Sequence, residues 1–126
     1  MKGLICAVTC LMLLTAVAAQ ANDLTVAGDT IKALTERITT LSGGKVGENS
    51  TANIAAAQAT LGAAKAAVSA SNAVLALQKA ELASIQLDVA EARSAELEAS
   101  EQLVLRRAEL KKFEGQFDQL LQTGGK

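Results

Sequence analysis

Residues 54–120 read IAAAQATLGAAKAAVSASNAVLALQKAELASIQLDVAEARSAELEASEQLVLRRAELKKFEGQFDQL, and large apolar side chains recur in them every seven residues. The steps from Ile54 are Leu61, Val68, Leu75, Leu82, Val89, Glu96, Leu103, Leu110 and Phe117, and only Glu96 breaks the apolar series. With these as heptad a, the d positions are Ala57, Ala64, Ser71, Gln78, Ile85, Ala92, Ala99, Arg106, Phe113 and Leu120. A stripe held at that spacing over so many turns keeps one helix face apolar, which is the signature of a coiled coil. The chain has no Pro, and only Gly62 and Gly115 weaken the segment, so the spacing predicts one helix over residues 51–122. Straight, such a helix is roughly 105 Å long, whereas a compact domain of this size has a radius of gyration of about 13 Å. The fold class expected is all-α and elongated, a coiled coil or an antiparallel helical hairpin.

Upstream, Leu24, Ala27, Ile31, Leu34, Ile38 and Leu41 alternate steps of three and four, which predicts a short amphipathic helix over residues 22–42. Asp29, Lys32, Glu36 and Arg37 fall between them and are expected to face outward. Gly43-Gly44 ends that helix, and the glycine-rich stretch 43–50 reads as an exposed loop. Residues 52–76 are dense in alanine, with Lys65 their only charge. Small side chains let another backbone come close, so the first helix is expected to fold back on them. Leu41 then meets Ile54, Leu34 meets Leu61 and Ala27 meets Val68. Alanine also simply raises helix propensity, which would leave the first helix undocked. Residues 123–126 read as a flexible tail.

The first helix is too short to cover residues 75–121. Their stripe of large side chains, each stabilising by about 1.5–3 kcal/mol when buried, needs a partner. A second copy of the chain, in antiparallel orientation, fits best; another coiled coil is the other candidate. The expected seam is Leu75, Leu82, Ile85, Val89, Glu96, Leu103, Arg106, Leu110, Phe113, Phe117 and Leu120. In a parallel pair Glu96 and Arg106 would each face their own copy, a like-charge layer that is costly to desolvate. An antiparallel pair centred near residue 101 places Glu96 on Arg106 and makes every other layer apolar. Outside the seam, an acidic stretch (Glu81, Asp88, Glu91, Glu98, Glu101) precedes a basic cluster of Arg106, Arg107, Lys111 and Lys112, which suits a helix C-terminus.

Residues 1–21 read as a signal peptide. Lys2 supplies the positive start, Gly3 to Leu14 is apolar except for Thr9, and small residues follow to Ala21. Ala19 and Ala21 fit the cleavage rule, and Val17 with Ala19 fits cleavage two residues earlier. An uncleaved leader would make the chain a membrane-tethered coil. Both cysteines, Cys6 and Cys10, lie inside the apolar run, too early for lipid attachment. Export implies a secreted, extracellular protein, or a periplasmic one if the source is bacterial. Asn49-Ser50-Thr51 is the single N-glycosylation sequon, with Asn49 the candidate site. Ser50 or Thr51 could instead cap the following helix.

Composition excludes several function classes. The chain has 126 residues, no His, and its only cysteines lie in the leader, so zinc, copper, haem and iron–sulfur centres lack their usual ligands and Ser–His or Cys–His catalysis lacks its groups. No catalytic, cofactor-binding or metal site is expected. Carboxylates abound, but a rod offers no concave, desolvated site to split their pKa values. Gly43-Gly44-Lys45-Val46-Gly47 follows a helix rather than a strand and has the wrong spacing for a phosphate loop. A net charge of −1 leaves no footprint for nucleic acid.

Together with the leader, Ala55-Ala56-Ala57-Gln58-Ala59 and Ala80-Glu81-Leu82-Ala83 resemble uncharacterised alanine-rich secreted coiled-coil proteins of insects, a compositional likeness over about residues 52–112. The resemblance implies an exported coiled coil and no activity, cofactor or site residue. The expected function is that of a secreted, non-catalytic scaffold acting through self-association. An extracellular lipid-surface protein with amphipathic helices is the alternative, disfavoured by a narrow apolar stripe and only two Phe.

Overall fold

A computed structural model describes residues 2–124, with side-chain surroundings described from Ala21 onward. The leader expected over residues 1–21 therefore lies, except for Ala21, outside the described side chains. The elements are α1 (Lys2–Ser42), α2 (Lys45–Asn49), α3 (Thr51–Ser69) and α4 (Ala73–Gly124), with no strand among the described residues. The all-α, elongated class read from periodicity holds. No helix among the described residues is long and apolar enough to cross a membrane.

The helix expected to run unbroken over 51–122 is instead two helices, folded sharply at residues 70–72. Ser71 adopts a left-handed backbone (φ 56°) just past the end of α3. Its N–H donates to the Val68 carbonyl and the Asn72 N–H to the Ala67 carbonyl, each at 2.9 Å, the double closure of a Schellman C-cap. Asn72 then caps the next helix, its Oδ1 accepting from the Leu75 N–H at 3.0 Å. Gly and Pro are the usual breakers, and here a Ser-Asn pair does both jobs.

The fold-back makes a three-helix bundle. α3 runs antiparallel to α4, and the described part of α1 packs on both. Ile31, Leu34 and Ile38 of α1 share one core with Ile54, Ala57, Leu61 and Ala64 of α3 and Ala80, Ala83, Leu87 and Ala90 of α4. Leu41 joins the same cluster, while Ala27, Ala67, Ala76 and Val68 close the far end. The hairpin expected between α1 and the alanine-rich stretch is present, and α4 completes it. Large side chains from α1 and the first half of α3 fill the space left by the small ones of α4.

Two local expectations need correction. Residues 43–50 are not an open loop, because Lys45–Asn49 forms α2 and packs against the end of the bundle. Gly47 permits that approach: a Cβ there would lie 2.4 Å from the Ser42 carbonyl oxygen. Arg37 does not face outward either. It is half-buried between α1 and α4, with Asp88 and Glu91 as partners.

A candidate self-association face on α4

Within the bundle α4 buries Ala73, Ala76, Ala80, Ala83, Leu87, Ala90 and Ser94, a stripe with alternating steps of three and four. Leu75, Leu82, Ile85 and Val89 each follow one of these by two residues, which turns them about 200° round the helix to the opposite side. They stay 39–51 % exposed. α4 thus carries two apolar stripes. The alanine stripe is satisfied inside the chain, and the large one is left outside.

Beyond Ser94, α4 leaves the bundle as an arm, and every described residue from Ala95 to Gly124 is exposed except the half-buried Glu98. The outer stripe continues along it through Leu103, Leu110, Phe113, Phe117 and Leu120, which are 56–69 % exposed. All eleven seam residues therefore lie on one unbroken helix, and all are exposed. The alanine stripe does not continue in the same way. Its successors include Glu101, Lys111 and Asp118, so the arm has no comparable inner face. Leu97, Val104 and Leu105 add exposed apolar area that the seven-residue series passed over.

The charges on this face are placed as follows. Glu96 lies where the arm leaves the bundle, beside a groove open along its length and lined by Val89, Ala92, Arg93, Glu96, Leu97 and Ser100. Arg106 pairs within its own helix with Glu109 at 3.1 Å, a contact both partners share with solvent. On the bundle side, the Arg37 guanidinium donates to Asp88 Oδ1 and Glu91 Oε2, each at 2.7 Å. The hydrogen bond it donates to Glu91, and then the one to Asp88, raise the Arg37 pKa above its ordinary value. The cation stays charged and neutralises part of the acidic stretch next to the seam. Nothing in the spacing of Arg37 announces this, because its partners lie over fifty residues away.

The sequon lies where the arm begins. Asn49 is half-buried, and its Nδ2 donates to the Ser94 hydroxyl at 3.1 Å. A glycan on that nitrogen would have to draw it away from Ser94. Ser50 occupies the N-cap position of α3, yet its hydroxyl makes no cap bond. Instead it is buried and donates to the Ala90 carbonyl at 2.9 Å. Thr51 bonds back to the Gly47 carbonyl. These hydroxyls fasten α2 and α3 rather than cap a helix. No group of three or more His, Cys, Asp or Glu able to hold a metal occurs among the described residues.

Comparison with protein-family models, with curated proteins and with solved structures finds no match to this chain.

Proposed function

We propose that this chain is an exported, non-catalytic helical protein that works as a scaffold by pairing with a second copy of itself through the outer stripe of α4. The observation that carries the reading is the division of α4 into two stripes. The alanine stripe is already covered, so the exposed large side chains are left with no partner among the described residues. Each half-exposed Leu, Ile, Val or Phe has on the order of 1 kcal/mol still to gain from burial, and the gains add along the stripe.

Charge favours the antiparallel orientation. With the pair centred near residue 101, Leu82 lies on Leu120 of the second copy, Ile85 on Phe117, Val89 on Phe113, Ala92 on Leu110, Glu96 on Arg106 and Ala99 on Leu103. The second copy's arm then lies along the bundle on the side opposite α1 and α3. Arg93 comes near Glu114, a favourable contact. Asp88 comes near Glu109, and Arg37 softens that like-charge approach.

Charge exchange tests the register. Glu96→Arg alone should raise the dimer dissociation constant about tenfold or more, and adding Arg106→Glu should restore it. Analytical ultracentrifugation across a concentration series reads both. A strictly monomeric wild-type chain sinks the proposal, and a double exchange that fails to recover dimer sinks the register.

A further inference from the structure

The arm concentrates the features that an endoprotease needs. Arg106-Arg107 and Lys111-Lys112 are the only adjacent basic pairs in the chain, and every other Lys or Arg stands alone. A trypsin-like protease seats one long cationic side chain against a carboxylate in its specificity pocket, so each pair offers two neighbouring bonds. Arg106 pairs with Glu109, while no salt bridge among the described residues holds Arg107, Lys111 or Lys112. Cleavage also requires the helix to unwind around the bond that is cut. In the bundle, unwinding breaks the shared core around Ala80, Ala83 and Leu87; in the arm it breaks little besides helical hydrogen bonds. Gly115 eases it further, three residues past Lys112. A Cβ there would meet nothing within 4 Å, so no close approach calls for glycine, and its effect is to weaken the helix.

We propose that residues 106–112 are a processing site for an extracellular trypsin-like endoprotease, and that pairing hides it, so that unpaired chains are trimmed and paired ones are spared. The control rests on the outer-stripe pairing proposed above; the site itself rests on the arm. Water adds across the Arg107–Ala108 or Lys112–Phe113 peptide bond, the C–N bond breaks, and a new carboxylate and a new amine are left. Either cut separates Phe113, Phe117 and Leu120 from the rest of the stripe. In the antiparallel pair these three lie on Val89, Ile85 and Leu82 of the second copy, so the pair loses its outermost layers at both ends. The bundle keeps its core, because every residue of that core precedes Ser94. Trimming thus leaves a folded chain that no longer pairs tightly, and it is irreversible. Pairing opposes the cut because Arg106 and Leu110 then lie on Glu96 and Ala92 of the second copy, and unwinding the arm would break those layers as well.

Limited digestion of the full chain with trypsin, read by mass spectrometry beside sedimentation of the same samples, tests site and control together. In dilute, monomeric chain the earliest products should end within residues 106–112, with residues 32–93 still uncut. At a concentration where about nine-tenths of the chain is paired, those cuts should slow roughly tenfold, with an unstructured reporter peptide in the same tube correcting for protease saturation. Phe117→Ala, which weakens pairing, should be cut roughly threefold faster than the wild type at that concentration. Gly115→Ala should slow the cut after Lys112 roughly fivefold in dilute chain. Earliest cuts at Lys32, Lys65 or Lys79 overturn the site. A chain that sediments as a dimer yet is cut at the dilute rate overturns the control and leaves the pairing standing. A chain that stays monomeric while its arm is cut first overturns the pairing and its control, and leaves the site standing.

Discussion

The two parts of α4 face opposite circumstances. From Ala73 to Ser94 the helix is covered on one side by α1 and α3. From Ala95 onward nearly every described residue is exposed. The outer stripe is nevertheless the same on both parts, a large apolar residue at each seven-residue step apart from Glu96. What differs is the inner stripe, which is alanine and Leu87 in the bundle and mixed with charge in the arm. The number of apolar residues thus does not decide where α4 is covered. Coverage follows the stripe small enough to let two other helices approach, and the larger side chains remain outside.

The sharpest way to break this comparison is to cut one large side chain from each face. Leu87 is fully buried, and Leu87→Ala should destabilise the bundle by about 2–5 kcal/mol, read as a lower midpoint in denaturant. Phe117→Ala should leave the unfolding of the dilute monomer unchanged, while raising the dimer dissociation constant about tenfold or more in sedimentation. Equal effects on folding would mean that the arm is covered within the chain after all.

A smaller effect is expected where the two parts meet. Gly47→Ala would drive a methyl into the Ser42 carbonyl and should cost about 1–3 kcal/mol. The turn comes next. Asn72→Ala removes the cap on the bundle part of α4 and should cost about 1 kcal/mol. Weakest is Arg37→Met, expected at about 1 kcal/mol or less because its partners are substantially exposed, and the difference should shrink in high salt. Hydrogen exchange sharpens the same contrast without a mutation. Amides of residues 95–124 should exchange rapidly in dilute solution and slow as the chain is concentrated, while the bundle amides change little.

Much of this was legible in the sequence, and particular residues show where legibility stopped. Ile31, Leu34 and Ile38 declared the core face of α1 through their spacing, and Ser42 marks its end just before Gly43-Gly44. The outer stripe was equally plain, because seven-residue spacing within a single helix is a local property. The turn at Ser71 and Asn72 was missed. Both residues are tolerated in a helix, and their capping bonds matter only when α4 has something to fold against. The buried alanines of α4 were hidden for a related reason. Alanine suits a helix exposed or buried, so its spacing carries no sign of which face is covered. Ser50 reads as a cap and proves to be a fastener to Ala90, a residue forty positions away.

By itself the sequence determined that this chain is helical, that its helices are amphipathic, and that one long stripe of large apolar side chains repeats along it. Those properties follow from residue type and spacing over a few turns. Tertiary structure alone decided which stripe is spent inside the chain, where the long helix folds, and which charges meet across helices. Such choices compare close packing against alanine with burial of bulkier side chains, and that comparison exists only once distant segments are brought together.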